Sequence, residues 1–207
     1  MQAYKKGDHF YGSYQMYHAG GKLKKQFAYK NGTIHGKYEV FYADGKLQQL
    51  SKYENGKLAG EQVEYYPDGQ VKESGNCIDG ERTGAWHTFF SDGKIHSKGN
   101  YQNGKFEGEW TINYPSEKPK QSGNYENGLS EGHWKFFYDN GTVKRTGLFK
   151  NDREEGAWQV FDEQGRKRMD LTFANGTLNG KATVYDETGR VQEEKIYSQG
   201  QVAVKKE

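Results

Sequence analysis

Four tryptophans fall on one period: Trp86, Trp110, Trp134 and Trp158 stand 24 residues apart. Indoles at regular intervals suit two jobs. They stack on sugar rings or grip a protein partner, and they also dominate the packing of a core. A second column on the same period holds Phe41, Tyr65, Phe89, Phe137, Phe161 and Tyr185. Aromatic rings are enriched at interfaces, so this column is the other candidate binding surface. A third column is acidic: Glu107, Glu131 and Glu155. If these sit on every second strand, they lie about 9.6 Å apart. That is too far to share a proton, but at the upper end of the spacing used by inverting glycosidases. Periodicity accounts for them without catalysis. His9, His18, His35, His87, His96 and His133 have no acidic or thiol cluster beside them, which reads as solvated rings rather than metal ligands. No Gly-x-Ser-x-Gly, phosphate-loop or His-Glu-x-x-His pattern occurs. The expectation is a chain with no catalytic residues, no metal and no cofactor.

The elements that must position these columns are repeats. Gly12, Gly36, Gly60, Gly84, Gly108, Gly132, Gly156 and Gly180 recur without a break every 24 residues. Two further glycine grids run beside them, interrupted only at Glu117 and Asp152. About eight copies fill the 207 residues. A unit this short buries little alone, so copies must stack on one another. Composition agrees. Gly is abundant at 28 residues, aromatics make up 15%, and aliphatic core formers are scarce. That argues against a barrel of parallel strands, a doubly wound sheet or a helical bundle. One cysteine, Cys77, excludes an internal disulfide framework. A net charge of +2 with mixed signs gives no steer toward nucleic acid. No apolar run is long enough to span a membrane as a helix. The first residues lack the apolar stretch of a signal peptide, which reads as cytoplasmic, or as exported if a leader has been removed.

Each copy reads as a β-hairpin. Lys37 to Tyr42 is rich in strand formers, Asp44-Gly45 signals a turn, and Lys46 to Tyr53 forms the return strand before Asn55-Gly56. Two-residue type I′ turns at both places set Tyr42 opposite Leu47, Val40 opposite Gln49 and Tyr38 opposite Ser51. They also set Tyr53 opposite Leu58 and Ser51 opposite Gly60. One face then carries Tyr38, Val40, Tyr42, Leu47, Tyr53 and Leu58. The same register pairs Trp86 with Gly99, Trp110 with Gly123 and Trp134 with Gly147, where a large ring covers bare backbone. The other face is polar apart from the column Phe41 to Tyr185. A bulged three-residue turn at Asp-Gly would shift this register. The fold class expected is all-β: an elongated single-layer antiparallel meander of about eight hairpins, one repeat domain over 1–207.

The unit Asn127-Gly128, Gly132, Trp134, Phe137-Tyr138, Asn140-Gly141, Val143, Gly147 and Phe149 resembles the MORN-variant repeats of bacterial proteins, often named the YwqK-like antitoxin family. The resemblance covers roughly residues 8 to 205. It implies stacked hairpins in a long twisted sheet. It also implies binding or scaffolding, with lipid contact in some members, and brings no catalytic residue.

Departures from the unit mark irregular places. Tyr114-Pro115-Ser116-Glu117-Lys118-Pro119 replaces an Asp-Gly turn, and its prolines predict a different loop. Asn151-Asp152 replaces Asn-Gly, Ala182 stands where Trp is expected, and Asp162 and Asp186 replace Tyr. Residues 1–12 and 190–207 read as caps, with Val202 and Val204 in a last strand. The function expected is recognition of a protein partner, toxin neutralisation included. The alternatives are polysaccharide or lipid head groups along an aromatic ladder, or self-association through terminal strands.

Overall fold

A computed structural model describes residues 4–203. Val204, expected in a last strand, lies outside them. The chain divides into two compact units, Met1–Lys105 and Phe106–Glu207. Each is an antiparallel meander of hairpins, and the described residues contain no helix. In the first unit the hairpin Gly36–Phe41 and Leu47–Glu54 is followed by Lys57–Tyr65 with Val71–Ile78, then by Glu81–Phe89 with Ile95–Gln102. In the second, Leu129–Phe137 pairs with Val143–Lys150, Arg153–Phe161 with Lys167–Ala174, and Gly180–Tyr185 with Val191–Ser198.

The middle of each hairpin has the expected register. Tyr38 faces Ser51, Val40 faces Gln49, and Trp86, Trp110 and Trp134 face Gly99, Gly123 and Gly147. The Asp-Gly end does not. Gly45 N donates to Tyr42 O at 2.9 Å and Tyr42 N donates to Lys46 O at 2.9 Å. The loop is therefore three residues, Ala43-Asp44-Gly45, with only Gly45 at positive φ (94°). This is a type I turn closed by a glycine bulge, not a type I′ turn. The Asp44 carboxylate accepts Lys46 N at 3.0 Å, which holds the turn. The bulge sets Phe41, not Tyr42, opposite Leu47. Leu47 thus shares the face of Phe41 and leaves the face of Tyr38.

The Asn-Gly ends are type I′ turns as expected, with Asn55 at φ 49° and Gly56 at 82°. Just beyond them lies a second bulge. Tyr53 faces Leu58, but Ser51 faces Gln62, so the expected pair of Ser51 with Gly60 does not form. Gly60 takes φ 96° inside this irregularity. A side chain there would be strained, which gives a physical reason for the unbroken glycine grid.

Two irregular sequences keep the regular backbone. In Pro115-Ser116-Glu117, Glu117 N donates to Tyr114 O and Tyr114 N donates to Lys118 O, both at 2.9 Å. The loop has the same hydrogen bonds as Ala43-Asp44-Gly45, with Glu117 at φ 67°. Proline fits the first central position of a type I turn, so the expected change of loop does not occur. Asn151-Asp152 likewise keeps the type I′ shape, at φ 50° and 63°.

Candidate functional site

The tryptophan face is a core. Trp86, Trp110, Trp134 and Trp158 are only 2, 8, 3 and 1% exposed. A single sheet buries them because each ring is walled by its own and the preceding strands. A Cβ placed on Gly75, Gly123 or Gly147 would stand 2.0–2.2 Å from Trp86, Trp134 or Trp158. Each of these indoles therefore lies on the glycine of the strand before it. Trp86 and Trp134 also face a glycine in the strand after, whereas Trp158 faces Leu171. Their Nε1 groups donate to Asn76 O, Asn124 O and Leu148 O at 3.0–3.2 Å, so these three buried donors are satisfied. Neighbouring rings close the sides: Tyr125 lies 5.0 Å from Trp134 and Phe149 5.1 Å from Trp158, both edge-on. Arginines form lids. The Arg82 guanidinium sits 4.0 Å over Trp86 and bonds both Glu73 oxygens, at 2.5 and 3.0 Å. Arg145 sits 4.9 Å over Trp158 and bonds Glu154 at 2.7 Å. The two pairs occupy equivalent places three repeats apart with the charges exchanged. A ligand stacking on these indoles would first have to displace those lids and rings.

The second column is arranged differently. Phe41, Tyr65, Phe89, Phe137, Phe161 and Tyr185 are all partly exposed. The bulges set them opposite Leu47, Val71, Ile95, Val143, Lys167 and Val191. Each ring except Phe161 therefore has an aliphatic partner, and within each unit the column is a strip of half-open apolar pairs, not a lone row on a polar face. Its backbone is anchored by residues to which the sequence reading assigned other roles, His18 as a solvated ring among them. Tyr42, Tyr66, Tyr114 and Tyr138 donate their hydroxyls to Tyr65 O, Phe89 O, Phe137 O and Phe161 O at 2.7–3.0 Å. His18 Nε2 fills the same slot against Phe41 O at 3.0 Å. Every one of these bonds reaches 23 residues ahead and ties one copy to the next. The regular recurrence of Tyr was the available signal, but the carbonyl it reaches leaves no mark in a sequence.

At Asp162 and Asp186 the tie ends, and these side chains cap their own turns. Asp162 accepts Gln164 N and Arg166 N, and Asp186 accepts Thr188 N and Arg190 N. Burial is the largest single influence on Asp162 and pushes its carboxyl up, but the bonds from Arg166 and Gln164 with the Arg166 charge together hold it below the usual carboxylate range. At Asp186 the Thr188 hydroxyl and the backbone bonds do the same against a smaller effect of burial.

The acidic column is structural. Glu107, Glu131 and Glu155 accept the backbone N–H of Asn127, Asn151 and Asn175 at 2.9–3.0 Å, capping the type I′ turn of the next copy. Cys77 is 1% exposed, and burial pushes its thiol up from its ordinary value, which leaves it a poor nucleophile. In the second unit a groove of about 560 Å³ is lined in part by Trp158, Ala157 and Leu171. Gln159, Asp170, Lys181, Thr183 and Tyr185 line it. Tyr185 donates to Asp170 Oδ2 at 2.6 Å, and Lys167 reaches the same carboxylate at 3.2 Å.

Among solved structures, the chain is similar to one described as TcdB2-TccC3, at 13% identity and a TM-score of 0.23. It is also similar to TcdB2-TccC3-Cdc42, at 12% identity and a TM-score of 0.19. These matches cover 95 and 89% of this chain but only 15 and 14% of those chains. Similarity at this level carries no argument about function. No curated protein matches the chain. A family model described as "MORN repeat variant" matches residues 10–31, 34–55, 58–76, 82–103, 106–127, 130–151 and 178–199. With most of its length matched, copy after copy, the chain belongs to the MORN repeat variant family.

Proposed function

We propose that the protein is a non-catalytic scaffold that recognises a protein partner through the column Phe41, Tyr65, Phe89, Phe137, Phe161 and Tyr185. A repeat array in this family supports a binding role in general terms. The observation that carries the finer reading is the contrast between the two faces. One aromatic column is buried to a few per cent, whereas the other is half-open, paired with aliphatic side chains and anchored from behind by hydroxyls. Aromatic anchors are what interface hot spots use, and within each unit these rings recur every 24 residues of sequence. The absence of a catalytic role is part of the same proposal, and the engagement of Glu107, Glu131 and Glu155 as turn caps supports it. A toxin as the partner follows from the resemblance to the antitoxin family and is the finest level of this reading.

The glycan and lipid-head-group readings lose their platform in the buried indoles and must rest on the same open column. Capture of a partner from the native source tests the choice. The Phe89→Ser/Phe137→Ser variant, with the wild-type circular dichroism spectrum, should lose the partner. Retention of the partner by that variant contradicts the proposal. Binding of soluble glycan or vesicles, with no protein captured, favours the alternatives.

A further inference from the structure

Three glutamates show what one place in the repeat holds. Glu107, Glu131 and Glu155 each set a carboxylate oxygen on the backbone N–H of the turn residue 20 ahead, Asn127, Asn151 and Asn175, at 2.9–3.0 Å. In other copies that place is taken by Tyr11, His35, Ala59, Thr83 and Asn179, and Ala59 is the shortest of the column. The turn 20 residues beyond Ala59 keeps its shape. Asp79 has φ 52°, as Asn127 does, and Gly80 N donates to Leu58 O at 2.8 Å, as Gly128 N does to Phe106 O at 2.9 Å. The Asp79 N–H thus stands where the Asn127 N–H stands, yet it has no acceptor among the described residues. A groove of about 500 Å³ opens there instead. Ala59, Gly60 and Asp79 line it, with Lys52, Glu54 and Lys57.

The cations suit the missing group. Lys52 is the one basic member of the column Ala28, Lys52, Asn76, Asn100, Asn124, Leu148, Thr172 and Ile196. It stands in the strand just before Ala59, so the copy that lacks the acid has a lysine beside it. Its stem lies along Gly60, where a Cβ would stand 3.3 Å from Lys52 Cδ. Lys52 pairs with Glu54 at 3.2 Å and Lys57 with Asp79 at 3.7 Å, but all four side chains are more than half exposed. Exposed pairs of this kind hold weakly, which leaves both ammonium groups free to turn to another anion.

We propose that this groove binds a carboxylate supplied from outside the chain, seated as the three glutamates seat theirs. One oxygen accepts the Asp79 N–H and the other meets the Lys52 ammonium, a charge-assisted pair of contacts. Ile78, 64% exposed and lining the same groove, offers the ligand's carbon chain an apolar wall. The ligand class is a monocarboxylate with a short apolar tail, either a free acid or the chain end of a peptide. Ala59 and Tyr65 lie toward opposite ends of the strand Lys57–Tyr65, so the site does not rest on the phenylalanine and tyrosine column.

The test is amide NMR of the full chain, titrated with butyrate, with a pentapeptide ending in a free valine carboxylate, and with the same peptide amidated. Sodium chloride at equal ionic strength is the control. The Asp79 amide should shift saturably with butyrate and the free-ended peptide, and not with chloride or the amidated peptide. Lys52→Gln should weaken binding about tenfold, the size of a lost hydrogen bond to a charged group. Asp79→Asn, which removes a like charge from the rim, should tighten it. Ala59→Glu should abolish it, because the chain then carries its own carboxylate, and should slow hydrogen exchange at Asp79. The Phe89→Ser/Phe137→Ser chain should bind as wild type does. No saturable shift at Asp79, undiminished binding by the Ala59→Glu chain, or equal binding of the amidated peptide overturns the proposal. Tighter binding of the free-ended peptide than of butyrate assigns the ligand to a partner's chain end, and the reverse assigns it to a free acid; either upholds the site.

Discussion

The Trp86 indole lies on Gly75 so closely that a Cβ on that glycine would stand 2.2 Å from the ring. Gly75 is not among the residues at positive φ, so its backbone would accept alanine. Only the neighbouring ring forbids it. The same relation joins Trp134 to Gly123 and Trp158 to Gly147. A thin sheet can bury so large a ring because the strand beside it has given up its side chain.

Gly75→Ala should therefore destabilise the protein by about 2–4 kcal/mol, the cost of forcing volume into a packed site. Trp86→Leu placed on top should recover much of that loss, a coupling that a double-mutant cycle from urea midpoints resolves. Additive effects of the two changes would separate the glycine from the ring.

Tyr138→Phe removes the hydroxyl that donates to Phe161 O and leaves that carbonyl without it. The expected loss is about 1 kcal/mol with an unchanged urea slope. An unaltered midpoint would mean that the hydroxyl tie between copies adds nothing.

Glu117 and Asp152 both stand at positive φ where other copies carry glycine, yet they should respond differently. Glu117→Gly relieves backbone strain and should raise stability by about 1 kcal/mol. The Asp152 carboxylate accepts Ser130 N at 2.6 Å, so Asp152→Gly loses a bond while relieving strain and should gain less. Thermal midpoints of the two variants check the order.

Asp170 sets a pH dependence. Burial pushes its carboxyl up, but hydrogen bonds from Tyr185 and Lys167, with the Lys167 charge, outweigh that and hold it below the usual range. A depressed folded value contributes stability above the unfolded value of about pH 4, and that contribution is lost as pH falls through the folded value. Wild type should thus weaken more steeply below about pH 4 than Asp170→Asn. Parallel urea midpoints for the two across that window would rule this out.

Much of the architecture is legible in the residues themselves. The glycine grids mark the copies, Asn55-Gly56 marks a type I′ turn, and Trp86 opposite Gly99 marks the register at mid-hairpin. What is not legible follows from degeneracy. Asp44-Gly45 suits both a two-residue turn and a bulged three-residue loop, and the choice decides which face Leu47 joins. That in turn changes the reading of Phe41, which has an apolar partner rather than standing alone. Pro115 suggested a new loop because proline removes a donor, yet the turn has no use for a donor at that position. The ties from Tyr66 to Phe89 O and from Glu107 to Asn127 N end on backbone atoms, which every residue carries alike.

The central claim is the division of labour between the faces: indoles inside, the phenylalanine and tyrosine column outside. Acrylamide quenching of tryptophan fluorescence tests it most directly, since all four indoles report together. The folded protein should show blue-shifted emission and quenching several-fold weaker than in urea, as rings 1–8% exposed require. Quenching as strong in buffer as in urea would put the indoles in solvent and contradict the claim.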